Sequence, residues 1–71
     1  MKIVFTDHSK ARISERGILI SDIKKALISP TSELWSYPPT KKIQKIIKGK
    51  TLEIVFEQKG LIIIIITAYY L

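Results

Sequence analysis

The chain has no cysteine, one histidine, one tryptophan, three glycines and three prolines among its 71 residues. Without cysteine there is no disulfide and no thiolate metal site. A lone histidine then leaves no zinc centre that a single chain can build. No Gly-rich phosphate loop, P-loop or paired carboxylates appear. Long apolar runs are missing too. The longest, LIIIII at 61–66, falls far short of the roughly 20 residues a membrane-spanning helix needs. At the N-terminus, the apolar stretch in MKIVFTDHSK stops after three residues, unlike a secretory signal. These absences predict a cytoplasmic protein with no metal, no cofactor and no membrane partner. Acidic residues are also scarce, six against twelve Lys and Arg, for a net charge of +6.

What remains is an Ile-rich chain, 46% hydrophobic, too apolar for intrinsic disorder. Its length predicts a single domain over 1–71. At about this size a fold buries only roughly 60% of its unfolded surface. With no disulfide to help, stability must come from apolar packing or from a second subunit, so a homodimer is one expectation. The positive charge attracts polyanions, because binding releases counterions from a phosphate backbone. Ten of the twelve basic residues are lysine, a composition that equally keeps an Ile-rich surface soluble.

KIVF at 2–5 reads as a short edge strand. In TDHSKARISERG, Thr6 or Asp7 can cap a helix that runs to about Arg16, and Gly17 suits the position past its end. Ser21 reads as a second cap, with Asp22 in the first turn. Ile23, Ala26 and Leu27 keep the spacing of a core-facing stripe, and Ser29–Pro30 ends that helix. ELWSY at 33–37 reads as a strand, followed by a turn at PPT. KKIQKIIKGK is ambiguous. Ile43, Ile46 and Ile47 have helical spacing, but isoleucine favours strands and KGK can serve as a hairpin turn. TLEIVFE at 51–57 alternates clearly, with Leu52, Ile54 and Phe56 on one face and Glu53, Val55 and Glu57 on the other. LIIIIITAYY shows no alternation, which predicts a central strand covered on both faces, with Tyr69 and Tyr70 pointing opposite ways. Helices first, then an antiparallel meander, is the resulting order.

On the first helix His8, Arg12 and Arg16 recur every four residues and form one row. His8 sits in the first turn, where the helix dipole disfavours imidazolium, and arginines can hold a phosphate bidentately. The plainer account is a wet helix face in which Arg12 pairs with Glu15 or Asp7, and Arg16 with Glu15 or Asp22, at about 0–1 kcal/mol each.

HSKARISERGI, SDIKKAL-SP, KGKTLEIVFE and IIITAYY, in that order, resemble a family of small domains of unknown function related to the RelE-like and BrnT-like toxins of toxin–antitoxin systems. The family pattern is His-Ala-x-x-Arg-x-x-x-Arg-Gly-Ile, then a second helix, a G-x-T-L-x-V strand and a last strand ending I-T-A-Y. Ser9 stands where alanine is usual. The resemblance covers nearly the whole chain. It implies an α+β, RelE-like fold with two N-terminal helices packed on a twisted antiparallel sheet of three to four strands, and it makes 41–48 a strand. It also implies metal-independent RNA cleavage and a small antitoxin partner.

Such cleavage needs a base for the 2′-OH, cations for the charge on phosphorus and an acid for the leaving 5′-oxygen. His8, Arg12, Arg16, Lys45 and Tyr69 are the candidate catalytic residues. Lys41, Lys42 and Lys48, with Trp35 and Tyr37 as stacking platforms, are the candidate RNA-binding residues. Edge protection of a sheet by lysine and a tryptophan plug beside two prolines are the bland counterparts. The readings to weigh are therefore an endoribonuclease and a non-catalytic nucleic-acid-binding or protein-interaction module.

Overall fold

A computed structural model describes residues 1–71. Its elements are β1 (Lys2–Phe5), α1 (Asp7–Glu15), α2 (Ile20–Ile28), β2 (Ser32–Leu34), β3 (Thr40–Ile47), β4 (Lys50–Lys59) and β5 (Ile62–Tyr70). The sheet order is β1-β5-β4-β3-β2. From β2 to β5 the strands form the expected antiparallel meander. The α+β class holds, but the sheet has five strands and is mixed, where three to four antiparallel strands were expected. The short edge strand read at 2–5 is present as β1, at one edge of the sheet. β1 joins the outer edge of β5 in parallel, Lys2 opposite Ile62 and Phe5 opposite Ile65. That pairing spans almost the whole chain, so no local pattern announces it.

Thr6 caps α1 as read: its Oγ1 accepts from the Ser9 N–H at 3.0 Å. The Ser9 hydroxyl donates to the Thr6 carbonyl at 3.0 Å, and the side chain is wholly buried. Serine therefore fits a site built for a small residue, because its one polar atom is satisfied where it sits. Gly17, at φ 64°, supplies the left-handed turn after the helix. α2 starts two residues earlier than read. Leu19 is its N-cap and makes no side-chain cap bond, while Ser21 lies inside the first turn.

Segment 41–48 is a strand because its partner is one. A two-residue turn at Lys48 and Gly49, both at positive φ, joins β3 to β4 and sets Ile43 opposite Ile54. β2 is shorter than ELWSY. Pro38 and Pro39 lack ladder donors, the pairing ends at Leu34–Lys42, and the Thr40 N–H turns back to the Tyr37 carbonyl at 3.0 Å. Trp35 and Tyr37 thus lie beyond the strand.

Both helices cover one face. Ile13, Ile23 and Ala26 meet Ile43, Leu52, Ile54, Phe56, Ile63, Ile65 and Ala68 in a single core. Ile23 and Ile54 are wholly buried, so truncating either to alanine costs about 2–5 kcal/mol. β4, not β5, is the central strand. A register shift pairs Phe56 with Ile65 but Val55 with Thr67, leaving Ile66 as a bulge and helping to blur the alternation of this strand. No helix covers the second face of β5, where Ile62 and Ile64 lie. No helix is long and apolar enough to cross a membrane.

Candidate functional site

The three groups of the α1 row leave in different directions. His8 is exposed at the start of the helix. Arg12 donates through Nη1 to Glu15 Oε2 at 2.9 Å, an ion pair at the surface. Arg16 turns away to the sheet: its Nη1 donates to the Ala68 carbonyl at 2.8 Å and to Thr67 Oγ1 at 3.2 Å. The physical reason lies in the register. β1 ends opposite Ile65, so the outer edge of β5 beyond that point has unpaired carbonyls, and a guanidinium satisfies one of them. Lys45 is likewise occupied. Its Nζ donates to the Ser29 carbonyl at 2.7 Å, at the C-terminal end of α2 where a cation suits the dipole.

Two of the five catalytic candidates do meet. The Arg16 guanidinium carbon stands 6.0 Å from the centroid of the Tyr69 ring. Tyr69 is on the open face and donates its hydroxyl to Glu53 Oε2. Gln44 Nε2 donates to the other oxygen, Oε1, at 2.8 Å. Glu53 is only 6% exposed, although alternation assigned it to the wet face. Burial acts to raise its pKa, but the hydrogen bonds from Tyr69 and Gln44 and the charge of Lys42 outweigh this, and the carboxyl lies below its usual range. The Glu53 hydrogen bond, with burial and the same negative charge, pushes the Tyr69 hydroxyl up against the opposing Arg16 charge. Tyr70 points the other way, as expected, and packs against the core under the helices. Burial and the nearby Asp22 carboxylate raise its pKa.

Glu53 and Gln44 were not among the sequence candidates. A signal for them existed. A two-residue turn at Lys48–Gly49 fixes Gln44 directly opposite Glu53, and facing polar residues on adjacent strands are a hydrogen-bonding pair. The resulting chain, Arg16–Tyr69–Glu53–Gln44, crosses three strands and offers a phenol donor and a guanidinium beside an anionic carboxylate.

The second feature is a groove of about 800 Å³ on the helix face, between the end of α2 and the 35–39 segment. Trp35, Lys41 and Lys42 line it. Tyr37 packs edge-to-face on Trp35, with ring centroids 5.3 Å apart and planes at 70°. The two rings are 76% and 78% exposed. Four of the five RNA-binding candidates are therefore neighbours. Lys42 borders the groove although alternation starts its side chain on the open face. The fifth, Lys48, sits on the hairpin turn at the other end of β3.

The two features lie on opposite faces of the sheet and approach each other at β3, where Ile43 of the groove adjoins Gln44 and the Lys42 charge also acts on Glu53. Tyr69 is the remote member of the network: Ile63 lines the groove and Tyr69 lies six positions further along β5, roughly 20 Å at strand spacing. No three His, Asp or Glu side chains converge as metal ligands. Neither a search of curated proteins nor one of solved structures gave a match. The family model of DUF4258, a domain of unknown function, matches residues 5–70, and the chain belongs to that family.

Proposed function

We propose that this protein is a module that binds single-stranded RNA through the groove beside Trp35 and Tyr37. The observation that carries this reading is the pair of aromatic rings, each more than three-quarters exposed, beside Lys41 and Lys42. Leaving two large rings in water forgoes the stabilisation that burial would bring. Stacking a base on such a ring contributes about 1–3 kcal/mol, whatever the base. Lysines beside the rings supply the phosphate contacts. Fluorescence anisotropy with a labelled single-stranded RNA at low salt tests this. Trp35→Ala is expected to weaken binding by at least about fivefold, with unchanged melting because the ring contributes little to the core. Equal binding by Trp35→Ala and wild type would remove the reading.

A second reading, toxin-like endoribonuclease, is favoured by one contact: Arg16 lies over the ring of Tyr69, both of them catalytic candidates, and the Tyr69 hydroxyl meets Glu53. In that case the 2′-oxygen attacks phosphorus as its proton passes to the Glu53 carboxylate, and the P–O5′ bond breaks as the leaving 5′-oxygen takes the Tyr69 proton. Glu53 then returns a proton to Tyr69 across their hydrogen bond, and remaining guanidinium N–H groups hold the phosphate. His8, Arg12 and Lys45 stand outside this group. The resemblance to RelE-like and BrnT-like toxins also supports it, and with it a small acidic antitoxin partner. The same RNA, incubated without divalent metal, separates the two readings. Cleavage products lost in Tyr69→Phe favour the nuclease, while binding without products favours the module.

A further inference from the structure

Glu33 is the single carboxylate among the residues that line the groove. It lies on β2 opposite Ile43, on the helix face, two residues before Trp35. Neither ion pair of the chain includes it. Of the two lysines that line the same groove, Lys41 donates its Nζ to Gln58 Oε1 at 3.3 Å, and the charge of Lys42 acts on Glu53. An unpaired carboxylate in a basic groove opposes phosphate binding and weakens attraction to any polyanion. Its acceptors are available to N–H donors on the ligand.

Resting on the RNA-binding reading of this groove, we propose that Glu33 makes the groove select guanine among unpaired bases. Guanine alone carries two N–H groups side by side on its Watson–Crick edge, at N1 and N2. They match the two oxygens of a carboxylate, as the fork of an arginine does. Adenine and cytosine offer one amino group beside a ring nitrogen whose lone pair faces the anion. Uracil offers one N–H between two carbonyls. In a duplex this edge is occupied, whereas in a single strand it is free to be read. Two residues of chain span at most about 7 Å, so Glu33 lies within reach of the edge of a purine stacked on the Trp35 indole. Trp35 then supplies base-independent affinity and Glu33 the discrimination.

The test uses the whole protein and four labelled RNA decamers: ten uridines, and the same strand with one central guanosine, adenosine or cytidine. The guanosine strand is expected to bind at least about fivefold tighter than the uridine strand, the lower end for a bidentate base contact, with the other two between. In Glu33→Gln the preference should fall below about twofold, while the uridine strand binds as well or better, since the charge opposing phosphate is gone. Glu33 is exposed on an edge strand, so an unchanged melting curve verifies the fold. Equal wild-type affinity for all four strands, or a guanosine preference that survives Glu33→Gln, overturns the inference. If Trp35→Ala still weakens binding in that case, the RNA-binding reading stands without it. Failure of wild type to bind any decamer overturns both.

Discussion

Glu53 holds a negative charge against a sheet face with almost no water around it, and its three supports are all polar neighbours. Tyr69 and Gln44 each donate to one carboxylate oxygen, and Lys42 adds its charge. Hydrogen bonds to a charged group contribute about 1.5–3 kcal/mol, so Glu53→Gln is expected to lower stability at pH 7 by about 2 kcal/mol. For a domain of this size that is a fall of about 10 °C in Tm. The pH dependence has a definite sign. The folded carboxyl lies below its ordinary 4.5, so its contribution is complete above pH 4.5 and fades as pH falls through the lowered value. The gap in Tm between wild type and Glu53→Gln should therefore narrow on acidification. Tyr69 acts oppositely: its folded pKa lies above 10.0, so its contribution is complete below that value and fades as pH rises through the folded one. Melts of wild type and Glu53→Gln from pH 3 to pH 8 check the carboxyl's part, and a gap constant across that range would mean that the charge is not its source. At this scale the sequence is a poor guide to where a long side chain ends. The four-residue spacing of His8, Arg12 and Arg16 is legible, but the destination of Arg16 depends on a carbonyl 52 positions away. Alternation places the Glu53 side chain on the correct face, yet it is silent on the tyrosine and glutamine that shield it.

The hairpin between β3 and β4 shows how an element is set by two residues. Lys48 at φ 51° and Gly49 at φ 78° are the two left-handed positions of the turn that matches strand twist. Glycine takes that conformation freely, whereas lysine is strained there and asparagine is tolerated. Lys48→Asn is expected to stabilise the protein by about 0.5 kcal/mol, a rise of a few degrees in Tm. RNA affinity should stay within about twofold, because Lys48 sits far from the groove and one remote charge changes binding little at moderate salt. A lower Tm would mean that the lysine makes a contact the turn geometry does not reveal. Elements with local punctuation were the legible ones. Thr6 and Gly17 bound α1, Ser29–Pro30 closes α2, and strict alternation marks β4. Segment 41–48 was undecidable alone, since its isoleucines satisfy a helical period as well as a strand, and the pairing with β4 decides it. β1 is legible as a strand but not as a parallel partner of β5, because pairing across 60 residues leaves no periodic trace. The early start of α2 was missed because Leu19 caps with its backbone alone, which no residue preference reports.

A net charge of +6 on a chain this small allows two accounts of RNA attraction, one global and one local. In the global account every lysine contributes to a field around the molecule, and position matters little. In the local account only lysines that touch phosphate release counterions and set the salt dependence. The fold separates them, because Lys41 and Lys42 border the groove while Lys48 and Lys50 lie at the far end of the hairpin. Two double variants, Lys41→Gln with Lys42→Gln and Lys48→Asn with Lys50→Gln, carry the same net charge. Each phosphate contact to a single strand contributes about 0.7 to the slope of log affinity against log salt, so the groove variant should lose about 1.4 of that slope. The hairpin variant should keep the wild-type slope, and its affinity should match wild type once salt reaches about 0.15 M, where charges beyond about 8 Å are screened. Equal loss of slope in both variants would make the attraction a property of overall charge, and the exposed rings of Trp35 and Tyr37 would then need another partner.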